Sequence, residues 1–441
     1  MAHRNRLKWV GILAVVAVAV PAWTTCGAEI SPNAGNSGRK YTLNKLSVYV
    51  SAPVQVVKRK NPRLPESSND PSGEFLWYPQ VSRLSNGDLL AQIRLGGDSW
   101  HADIEGPIGF SWSCDGGTTW SELLVASKHN GYGSLVLPSG DLMILPYILA
   151  AAPNGLVGPY NLIRPGKRDV QFVDNAVEVT GFLRMPAADP TMDTTWQKTD
   201  KAFKVGGFVF DGRPVRTGSG WLTTLYGKYE GELKKKCTLH AAASVDGLNW
   251  RIRSTIAAAD SALGRHHWGN SEAEICRLPD ARLMCVYRID GESYGQSFSS
   301  DEGFTWTQPN QMPPGVGTVE PRLAVTNNGV VALCGGRPGY YLWLNADGKG
   351  TDWQRIDIFA HHNALAPPEQ VRFAGPGGYR FDGCSAYGSV VPVSDSEVLV
   401  IYDCFTLDEF GIYVVRASIE KTSDTPVMGS KAARPVSAGR R

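Results

Sequence analysis

A hydrophobic hairpin in the middle of the chain carries charged groups at its open end. The stretch SEAEICRLPDARLMCVYR, residues 271–288, reads as two strands joined by the turn Pro279–Asp280–Ala281–Arg282. It begins with Glu272 and Glu274 and finishes on Arg288. A carboxylate can accept a proton and a guanidinium can hold an anion. These groups are therefore either solvated strand ends or the lining of a site.

Four aspartates recur in a second pattern that resembles acid chemistry. The pattern S-x-D-x-G-x-T-W occurs in SCDGGTTW and SSDEGFTW, and in weaker form in SVDGLNW and NADGKGTDW. The motif has a mechanical explanation: Ser and Asp side chains bond the backbone amides of a loop, Gly adopts a left-handed conformation, and Trp fills a gap between sheets. We therefore expect structural roles for Asp115, Asp246, Asp301 and Asp347.

Histidines and cysteines do not form a recognisable set of metal ligands. The cysteines contain no C-x-x-C pair, and the histidine spacing fits no standard set, so we expect no metal site. In the hairpin, Cys276 and Cys285 fall opposite each other if the turn is symmetric. They are then either a cross-strand disulfide or two buried thiols.

The elements that must position these residues recur along the chain. An apolar strand, a tight turn and a second apolar strand appear six times, with turn centres at Gly87, Gly140, Gly220, Ala281, Gly329 and Ser396. Each unit is long enough for a four-stranded sheet. Repeats of this size decide the whole fold, and large all-β folds use this many residues in one domain.

Composition and charge narrow the class of protein. The chain has 441 residues, 42% of them hydrophobic, and a net charge of +2 from 44 basic and 42 acidic residues. There is no long basic run, which argues against nucleic acid as a partner. The 48 glycines, 28 prolines and 13 tryptophans favour many short strands and turns.

The N-terminal segment MAHRNRLKWVGILAVVAVAVPAWTTCGA has the layout of a secretory signal peptide. A basic start precedes an apolar run that is short for a membrane span, so we expect no stable span in the mature protein. We expect bacterial export, to the periplasm or the medium. Lipoprotein anchoring at Cys26 is the alternative, although Trp23 and Thr24 match that pattern poorly.

Together the aspartate motif and the repeat resemble the Asp-box (BNR) repeats and the six-bladed β-propeller of the sialidase superfamily. The resemblance covers roughly Leu43 to Thr422. It implies an all-β fold in which a strand near Lys45–Lys58 closes the ring against the last blade. We expect a signal peptide over 1–28, a linker over 29–42, the propeller over 43–423 and a disordered tail over 424–441.

The central hairpin is similar to the sialidase segment N-E-x-x-V-x-x-L-x-D-G-R-L-x-x-x-x-R. The spacing from Glu272 to Arg288 agrees with that pattern. The resemblance implies that Glu272 polarises the nucleophile and that Arg288 grips a substrate carboxylate, with Glu274 facing elsewhere.

The last unit, AYGSVVPVSDSEVLVIYD, is similar to the segment that carries the nucleophilic tyrosine of sialidases. Tyr387 falls on that position. A neutral phenol suits such a site as nucleophile, because the anomeric carbon of sialic acid bears a carboxylate that would repel an Asp or Glu nucleophile. The competing interpretation of Tyr387 is a tyrosine of the core or rim.

Two further positions follow from the same resemblance. Arg337, in CGGRPGYYLWLNADG, is the candidate for another carboxylate-binding arginine, with Arg322 second. Asp98, in IRLGGDSWHADIEG, is the candidate general acid and base, with Asp103 second and loop capping as the alternative.

One position departs from the family pattern. Sialidases begin the first blade with R-I-P, and this chain has Trp77–Tyr78–Pro79. Arg83 and Arg94 lie on the same hairpin, but neither occupies the motif position. Trp77 then offers an aromatic face to a sugar, and sialic acid is in more doubt than glycoside cleavage.

The resulting expectation is an exported propeller glycosidase that cleaves terminal sialic acid or a related acidic sugar from a glycan without a cofactor. One alternative is a glycosidase or lyase that acts on a different polysaccharide. The other is a carbohydrate-binding propeller without turnover, since propellers with this motif are not all enzymes.

Overall fold

The computed structural model describes most of the chain between residues 38 and 422. The described residues are 38–60, 76–95, 108–127, 133–145, 148–152, 155–157, 160–166, 170–173, 178–180, 207–228, 236–247, 249–264, 269–289, 293–317, 319–371, 384–406 and 409–422. The described residues belong to one compact unit. The expected signal peptide, with Cys26, and the expected tail lie outside the described residues, as does Asp98 with its alternative Asp103.

The secondary structure is almost entirely β. The first three strands precede the first repeat unit, and one of them begins inside the segment expected to be a linker: β1 (Arg39–Leu43), β2 (Leu46–Val50) and β3 (Val54–Lys60). Sheet I follows the first unit and has the order β4 (Leu76–Arg83), β5 (Leu89–Leu95), β6 (Ile108–Ser113) and β7 (Leu124–Ser127).

The next two sheets are built around the second and third turn centres and include the long stretch between them. Its strands are β8 (Ser134–Val136), β9 (Leu142–Ile144), β10 (Ile148–Ala152), β11 (Gly155–Val157), β12 (Tyr160–Ile163), β13 (Val170–Val173), β14 (Glu178–Thr180), β15 (Gly207–Phe210), β16 (Val215–Thr217), β17 (Gly220–Lys228), β18 (Thr238–Ser244) and β19 (Asn249–Ala257). Sheet II has the order β13-β12-β9-β8, and sheet III has eight strands, in the order β11-β10-β15-β17-β18-β19-β14 with β16 paired to β17.

Two regular four-stranded sheets come next. Sheet IV contains β20 (Ser271–Arg277), β21 (Leu283–Arg288), β22 (Gly295–Ser299) and β23 (Asn310–Gln311). Sheet V contains β24 (Val319–Val325), β25 (Val331–Gly336), β26 (Tyr340–Asn345) and β27 (Gln354–Asp357). The helix α1 (Ile358–Leu365) and a short 3-10 turn (Pro368–Gln370) follow sheet V.

The last sheet joins the two ends of the described chain. Sheet VI contains β28 (Ser389–Pro392), β29 (Glu397–Phe405) and β30 (Glu409–Lys421). Both β2 and β3 pair antiparallel with β30, so N-terminal strands complete the C-terminal sheet, as the sequence predicted. This pairing covers a sheet edge that would otherwise be open.

The β-propeller is confirmed, but the expected count of six blades is wrong, because the described residues form five regular blades. Five sheets are regular and purely antiparallel, whereas sheet III contains the parallel pair β14–β19 and the added hairpin β10–β11. These extra strands come from the longest spacing between turn centres, from Gly140 to Gly220. The repeat in the sequence locates the hairpin of each unit. It does not show with which strands the chain between two hairpins will pair.

The aspartate loops are built as their motif predicted. Asp115 Oδ1 accepts hydrogen bonds from the amides of Thr118 and Thr119, at 3.0 and 2.9 Å, and Ser113 Oγ accepts one from the amide of Gly117 at 2.7 Å. The indole N–H of Trp120 donates to the carbonyl of Gly117. Asp301 bonds the amide of its own loop in the same way. The roles of Asp115 and Asp301 are therefore structural.

The hairpin cysteines do not face each other. Cys276 lies opposite Met284 and Cys285 opposite Ile275, and both are free buried thiols. The turn closes with Leu278 and Arg282 paired and three residues between them. The register expected from a symmetric turn is therefore wrong by one residue. A shift of one residue between two strands reverses which side chains share a face, so Cys276 and Cys285 lie on opposite faces of the sheet.

Two histidines predicted not to bind metal are held within the fold. The ring nitrogens of His361 contact Tyr41 Oη and the carbonyl of Ser51, at 2.9 and 2.8 Å. Those of His362 contact Tyr402 Oη and the carbonyl of Gln370. Within the described part of the chain, His, Cys, Asp and Glu form no group of three that could hold a metal ion. No helix among the same residues is long and apolar enough to cross a membrane.

Candidate active site

The site lies where the first strands of several sheets are interrupted. Strands β4, β20 and β24 each contain a β-bulge, and the bulged residue has a positive φ: 47° at Tyr78, 34° at Glu272 and 45° at Glu320. A non-glycine residue in this region costs on the order of 1–3 kcal/mol and is typical of functional positions. The three bulged residues lie around one point, because Tyr78 packs on Tyr387, and the amide of Glu320 bonds Glu272.

The centre of the site is a tyrosine–glutamate pair. Tyr387 Oη donates a hydrogen bond to Glu272 Oε1 at 2.5 Å, although the two residues are 115 positions apart in the sequence. A phenol on a carboxylate at this distance makes a strong, charge-assisted bond. Both residues were predicted for the site, and the structure brings them together.

Glu272 is stabilised as an anion by several donors. Arg288 Nη1 lies 2.8 Å from the same Oε1, and the amide of Glu320 donates to Oε2 at 3.1 Å. Burial opposes ionisation of Glu272, but the charge of Arg288, the hydrogen bond from Tyr387 and the charge of Arg337 outweigh it and lower its pKa. Glu272 is thus a carboxylate placed to accept the phenolic proton. The charged end of the central hairpin lines a site.

Tyr387 is partly buried and its hydroxyl is protonated in the resting site. Burial and the negative charge of Glu272 raise its pKa well above the usual range, whereas the charges of Arg288 and Arg337 act in the opposite direction. A phenol of this kind becomes a nucleophile only when a neighbouring base removes its proton as bond formation begins. Glu272 is the base within reach.

Arg337 lies beside the pair and is held by the backbone. Its guanidinium is 5.3 Å from the centre of the Tyr387 ring, and its Nη2 donates to the carbonyl of Ser385 at 2.8 Å. It follows β25 with a φ of 73°. Arg288 and Arg337 therefore place two positive charges next to Glu272 and Tyr387, in the arrangement expected for binding an anion.

Arg322, the second candidate for an anion-binding arginine, is used elsewhere. Its side chain is fully buried and forms ion pairs with Asp211 and Glu274, at 3.3 and 3.5 Å, and with Glu320. Glu274 faces this same cluster and not the Tyr387 pair, as predicted, and Arg213 also pairs with it at 2.6 Å. Burial raises the pKa of Asp211 to about 6 and that of Glu320 well above its usual range, against the charge of Arg322.

The expectation that Trp77 presents a face to a sugar is wrong. Its side chain is 0% exposed and packs edge-on against Phe405, with ring centroids 5.1 Å apart. The bulge directs the next residue to the site instead: the rings of Tyr78 and Tyr387 are 4.4 Å apart, and the Arg94 guanidinium lies 5.2 Å from the Tyr78 ring. In the W-Y-P motif the second residue, and not the first, occupies the site.

Sequence reasoning also missed residues that act through the backbone. Asp403 and Ser385 hold the turn before Tyr387, and Glu320 supplies an amide to Glu272. A signal for Asp403 was present, because it is the one acid within the apolar run VLVIYDCF of residues 398–405. The bulges of β4 and β24 left no comparable signal in the sequence.

Known structures share this fold at low sequence identity. A protein of unknown function from Dyadobacter fermentans is 17% identical with a TM-score of 0.54, and the match covers 84% of this chain and all of that one. An α-L-arabinofuranosidase from Fusarium graminearum is 14% identical with a TM-score of 0.52, over 82% and 98% of the two chains. A Trypanosoma rangeli sialidase is 15% identical with a TM-score of 0.51, over 83% of this chain and 59% of that one.

No protein-family model and no curated protein matches the sequence. At identities of 14–17% the structural matches establish the β-propeller fold. The resemblance to sialidase-type propellers is confirmed at that level.

Proposed function

We propose that the chain is a glycoside hydrolase of the sialidase type that removes terminal sialic acid or a related acidic sugar from a glycan. The observation that carries this proposal is the 2.5 Å hydrogen bond from Tyr387 to Glu272, with Arg288 on the same carboxylate oxygen. A partly buried phenol paired with an ionised glutamate beside two arginines suits nucleophilic attack on a carbon that bears a carboxylate.

In the proposed reaction, Glu272 takes the phenolic proton as Tyr387 Oη forms a bond to the anomeric carbon. The bond from that carbon to the leaving oxygen breaks, and Asp98 gives the leaving oxygen its proton. Water activated by Asp98 then attacks the glycosyl–tyrosine intermediate, and the proton returns from Glu272 to Tyr387. The reaction needs no cofactor. Asp98 enters from the sequence alone.

Two arginines support an acidic substrate. Arg288 and Arg337 would hold the substrate carboxylate, and each charge-assisted bond contributes about 1.5–3 kcal/mol. The third arginine of the sialidase pattern is replaced by the W-Y-P motif, so binding of an ordinary sialoside is expected to be weaker by about one to two orders of magnitude. Tyr78 instead supplies an aromatic ring beside Tyr387.

The test is release of a fluorophore from a fluorogenic sialoside by the purified mature protein and by Tyr387→Phe. Tyr341→Phe is the matched control, because Tyr341 lies outside the site and packs at a tilt against Trp343. Turnover by wild type and Tyr341→Phe, with loss in Tyr387→Phe, is expected. Turnover that survives in Tyr387→Phe would remove the tyrosine mechanism, and no turnover by wild type would remove sialic acid as the substrate.

A second candidate function is a two-carboxylate glycosidase that acts on a neutral sugar. The observation in its favour is that Glu272 and Glu320 occupy matching bulges in the first strands of sheets IV and V and have pKa values shifted in opposite directions. Paired carboxyls of this kind serve as nucleophile and acid in many glycosidases. Against it, Glu320 is only 1% exposed and is paired with Arg322.

An aryl α-L-arabinofuranoside distinguishes the two candidates. Hydrolysis of this compound, lost in Glu320→Gln and retained in Tyr387→Phe, would favour the neutral sugar. If neither substrate is cleaved but sialyllactose binds in titration calorimetry, the chain is a carbohydrate-binding propeller.

The N-terminal sequence supports export as part of the same proposal. Expression of the full chain in a bacterial host, followed by N-terminal sequencing of the exported product, tests cleavage after Ala28. Retention in the membrane with a lipid-modified Cys26 would show anchoring instead.

A further inference from the structure

The turn that presents Tyr387 is held by a buried acid that the proposed chemistry does not use. Asp403 Oδ2 accepts a hydrogen bond from the amide of Ser385 at 2.6 Å, and its Oδ1 accepts one from Ser385 Oγ at 2.8 Å. Asp403 is 1% exposed and Ser385 is fully buried. Both oxygens of one carboxylate are thus directed at a single residue.

Ser385 passes this constraint on to the nucleophile. Its Oγ accepts a hydrogen bond from the amide of Tyr387 at 3.1 Å. Between them Ala386 has a φ of 61°, a left-handed conformation that alanine adopts only at a cost. On the other side, Arg337 Nη2 donates to the carbonyl of Ser385. The strained turn is therefore fixed by Asp403 from one side and by Arg337 from the other.

Among the described residues, Ser385 is the residue that the Asp403 side chain hydrogen-bonds. Asp403 lies in the buried strand β29 between Tyr402 and Cys404, opposite Ile412. A carboxyl group in such a position costs several kcal/mol in lost hydration unless hydrogen bonds replace the water. An apolar residue would serve the core better, so the acid is explained by what it holds.

We propose that Asp403 is a positioning residue that, through Ser385, fixes the backbone of Tyr387 so that its hydroxyl reaches Glu272. The proposal rests on the proposed tyrosine mechanism for its consequence in catalysis, but the geometric claim stands on the structure alone. Asp403 acts through hydrogen bonds and touches no substrate.

Two substitutions separate hydrogen bonding from bulk. In Asp403→Asn, the amide oxygen can accept from the amide of Ser385 and the amide nitrogen can donate to its Oγ, so both bonds are kept. Asp403→Leu has a similar size but makes neither bond. Asp301→Ala is the control for a general loss of stability, because it removes a loop-forming acid in sheet IV that has no contact with Tyr387.

The kinetic test uses the fluorogenic sialoside. Because a displacement of about 1 Å can cost about a hundredfold in rate, kcat of Asp403→Leu is expected to fall roughly ten- to a hundredfold with little change in KM. Asp403→Asn is expected to restore most of kcat, and Asp301→Ala to keep it. Equal loss in Asp403→Asn and Asp403→Leu, or full activity in Asp403→Leu, would overturn the proposal.

Crystal structures of wild type, Asp403→Asn and Asp403→Leu decide the geometric claim whether or not sialosides are cleaved. The expected result is that Tyr387 Oη leaves hydrogen-bonding distance of Glu272 in Asp403→Leu and stays within it in Asp403→Asn. An unmoved Tyr387 in Asp403→Leu would overturn the positioning role. Inactive wild type with a displaced Tyr387 in Asp403→Leu would instead refute the proposed substrate alone.

Discussion

At the scale of single residues, the site depends on which group can take up a proton. Glu272→Gln keeps an oxygen that can accept from Arg288 and from Tyr387, but an amide cannot take the phenolic proton. Because general-base catalysis contributes about 10²–10⁴-fold, kcat should fall by that range while KM changes little. The measurement is steady-state kinetics on the sialoside.

The control for this substitution is Glu302→Gln. Glu302 pairs with Arg277 on the surface, so its loss removes a charge without reaching the site. Unchanged kcat in Glu272→Gln would show that Glu272 is not the base.

Asp403 also makes stability depend on pH. Burial raises its pKa to about 7, against the hydrogen bonds from Ser385, whereas an unfolded chain ionises aspartate near pH 3.8. The native state therefore holds the proton more tightly than the unfolded chain, so this contribution is full below about pH 4 and is lost as the pH rises towards 7. Its size is on the order of 4 kcal/mol at most.

Asp403→Asn should flatten this dependence, because an amide stays neutral. Chemical denaturation at pH 4, 5.5 and 7 measures the difference between the two proteins, and Asp211, whose pKa is raised in the same direction, contributes equally to both. The free energy of unfolding of Asp403→Asn relative to wild type should increase with pH. A constant difference would contradict the shifted pKa.

Residue types predicted that Tyr387 and Glu272 lie in one site, and the structure brings them together, but they did not predict what holds the pair. The spacing from Glu272 to Arg288 and the segment around Tyr387 match the sialidase patterns closely enough to be recognised in a single sequence. Tyr78 reaches the site only because a bulge turns β4 by one position, and this also buries Trp77. A one-residue change of register is decided by packing of the finished sheet, which the local sequence does not determine.

At the scale of elements, one residue of the turn limits the stability of the central hairpin. Ala281 has a φ of 71° and is exposed, and it completes the three-residue loop in a position that favours glycine. Ala281→Gly should therefore raise the free energy of unfolding by about 0.5–1 kcal/mol, as measured by denaturant unfolding.

The matched control is Ala243→Gly within strand β18, one residue before the strand ends. Glycine there loses more backbone entropy without relieving strain, and stability should fall by about 0.5–1 kcal/mol. Destabilisation by both substitutions would mean that the turn is not strained.

The same loop explains the wrong cysteine pairing. A turn of three residues centres on Asp280, whereas a symmetric four-residue turn centres between Asp280 and Ala281. Turn signals in the sequence located the hairpin correctly, but Pro and Asp are compatible with both loop lengths.

At the scale of the whole molecule, one arginine links four sheets around the centre. Arg213 extends from sheet III to Glu274 in sheet IV, with 2.7 Å from Nε to Oε1, and donates to the carbonyls of Leu323 in sheet V, at 2.7 Å, and Val390 in sheet VI, at 2.9 Å. Its side chain is 15% exposed. We therefore expect Arg213 to stabilise the closed ring of sheets.

Arg213→Met should lower the free energy of unfolding by about 3–5 kcal/mol, because it removes these bonds and one of the two arginines that neutralise Glu274. Denaturant unfolding followed by tryptophan fluorescence measures the change. Arg282→Met is the control, since Arg282 makes an exposed pair with Asp280 and its loss should cost less than about 1 kcal/mol. Equal effects of the two substitutions would show that Arg213 does not hold the ring together.

The overall architecture was largely predictable because a repeat must stack to bury its apolar faces. The pairing of β2 and β3 with β30 followed from the need to cover the last edge. Sheet III was not predictable, because chain inserted between two hairpins has several sheet edges on which it can pair.

The most direct test of the central claim is to trap the covalent intermediate. A sialosyl fluoride that carries a second fluorine next to the anomeric carbon forms the glycosyl–enzyme bond but hydrolyses slowly from it. After incubation and proteolysis, mass spectrometry should find the added sugar on the peptide that contains Tyr387, and Tyr387→Phe should remain unlabelled. Sugar on Glu272 or Glu320, or the absence of any label and of any fluoride release, would contradict the account.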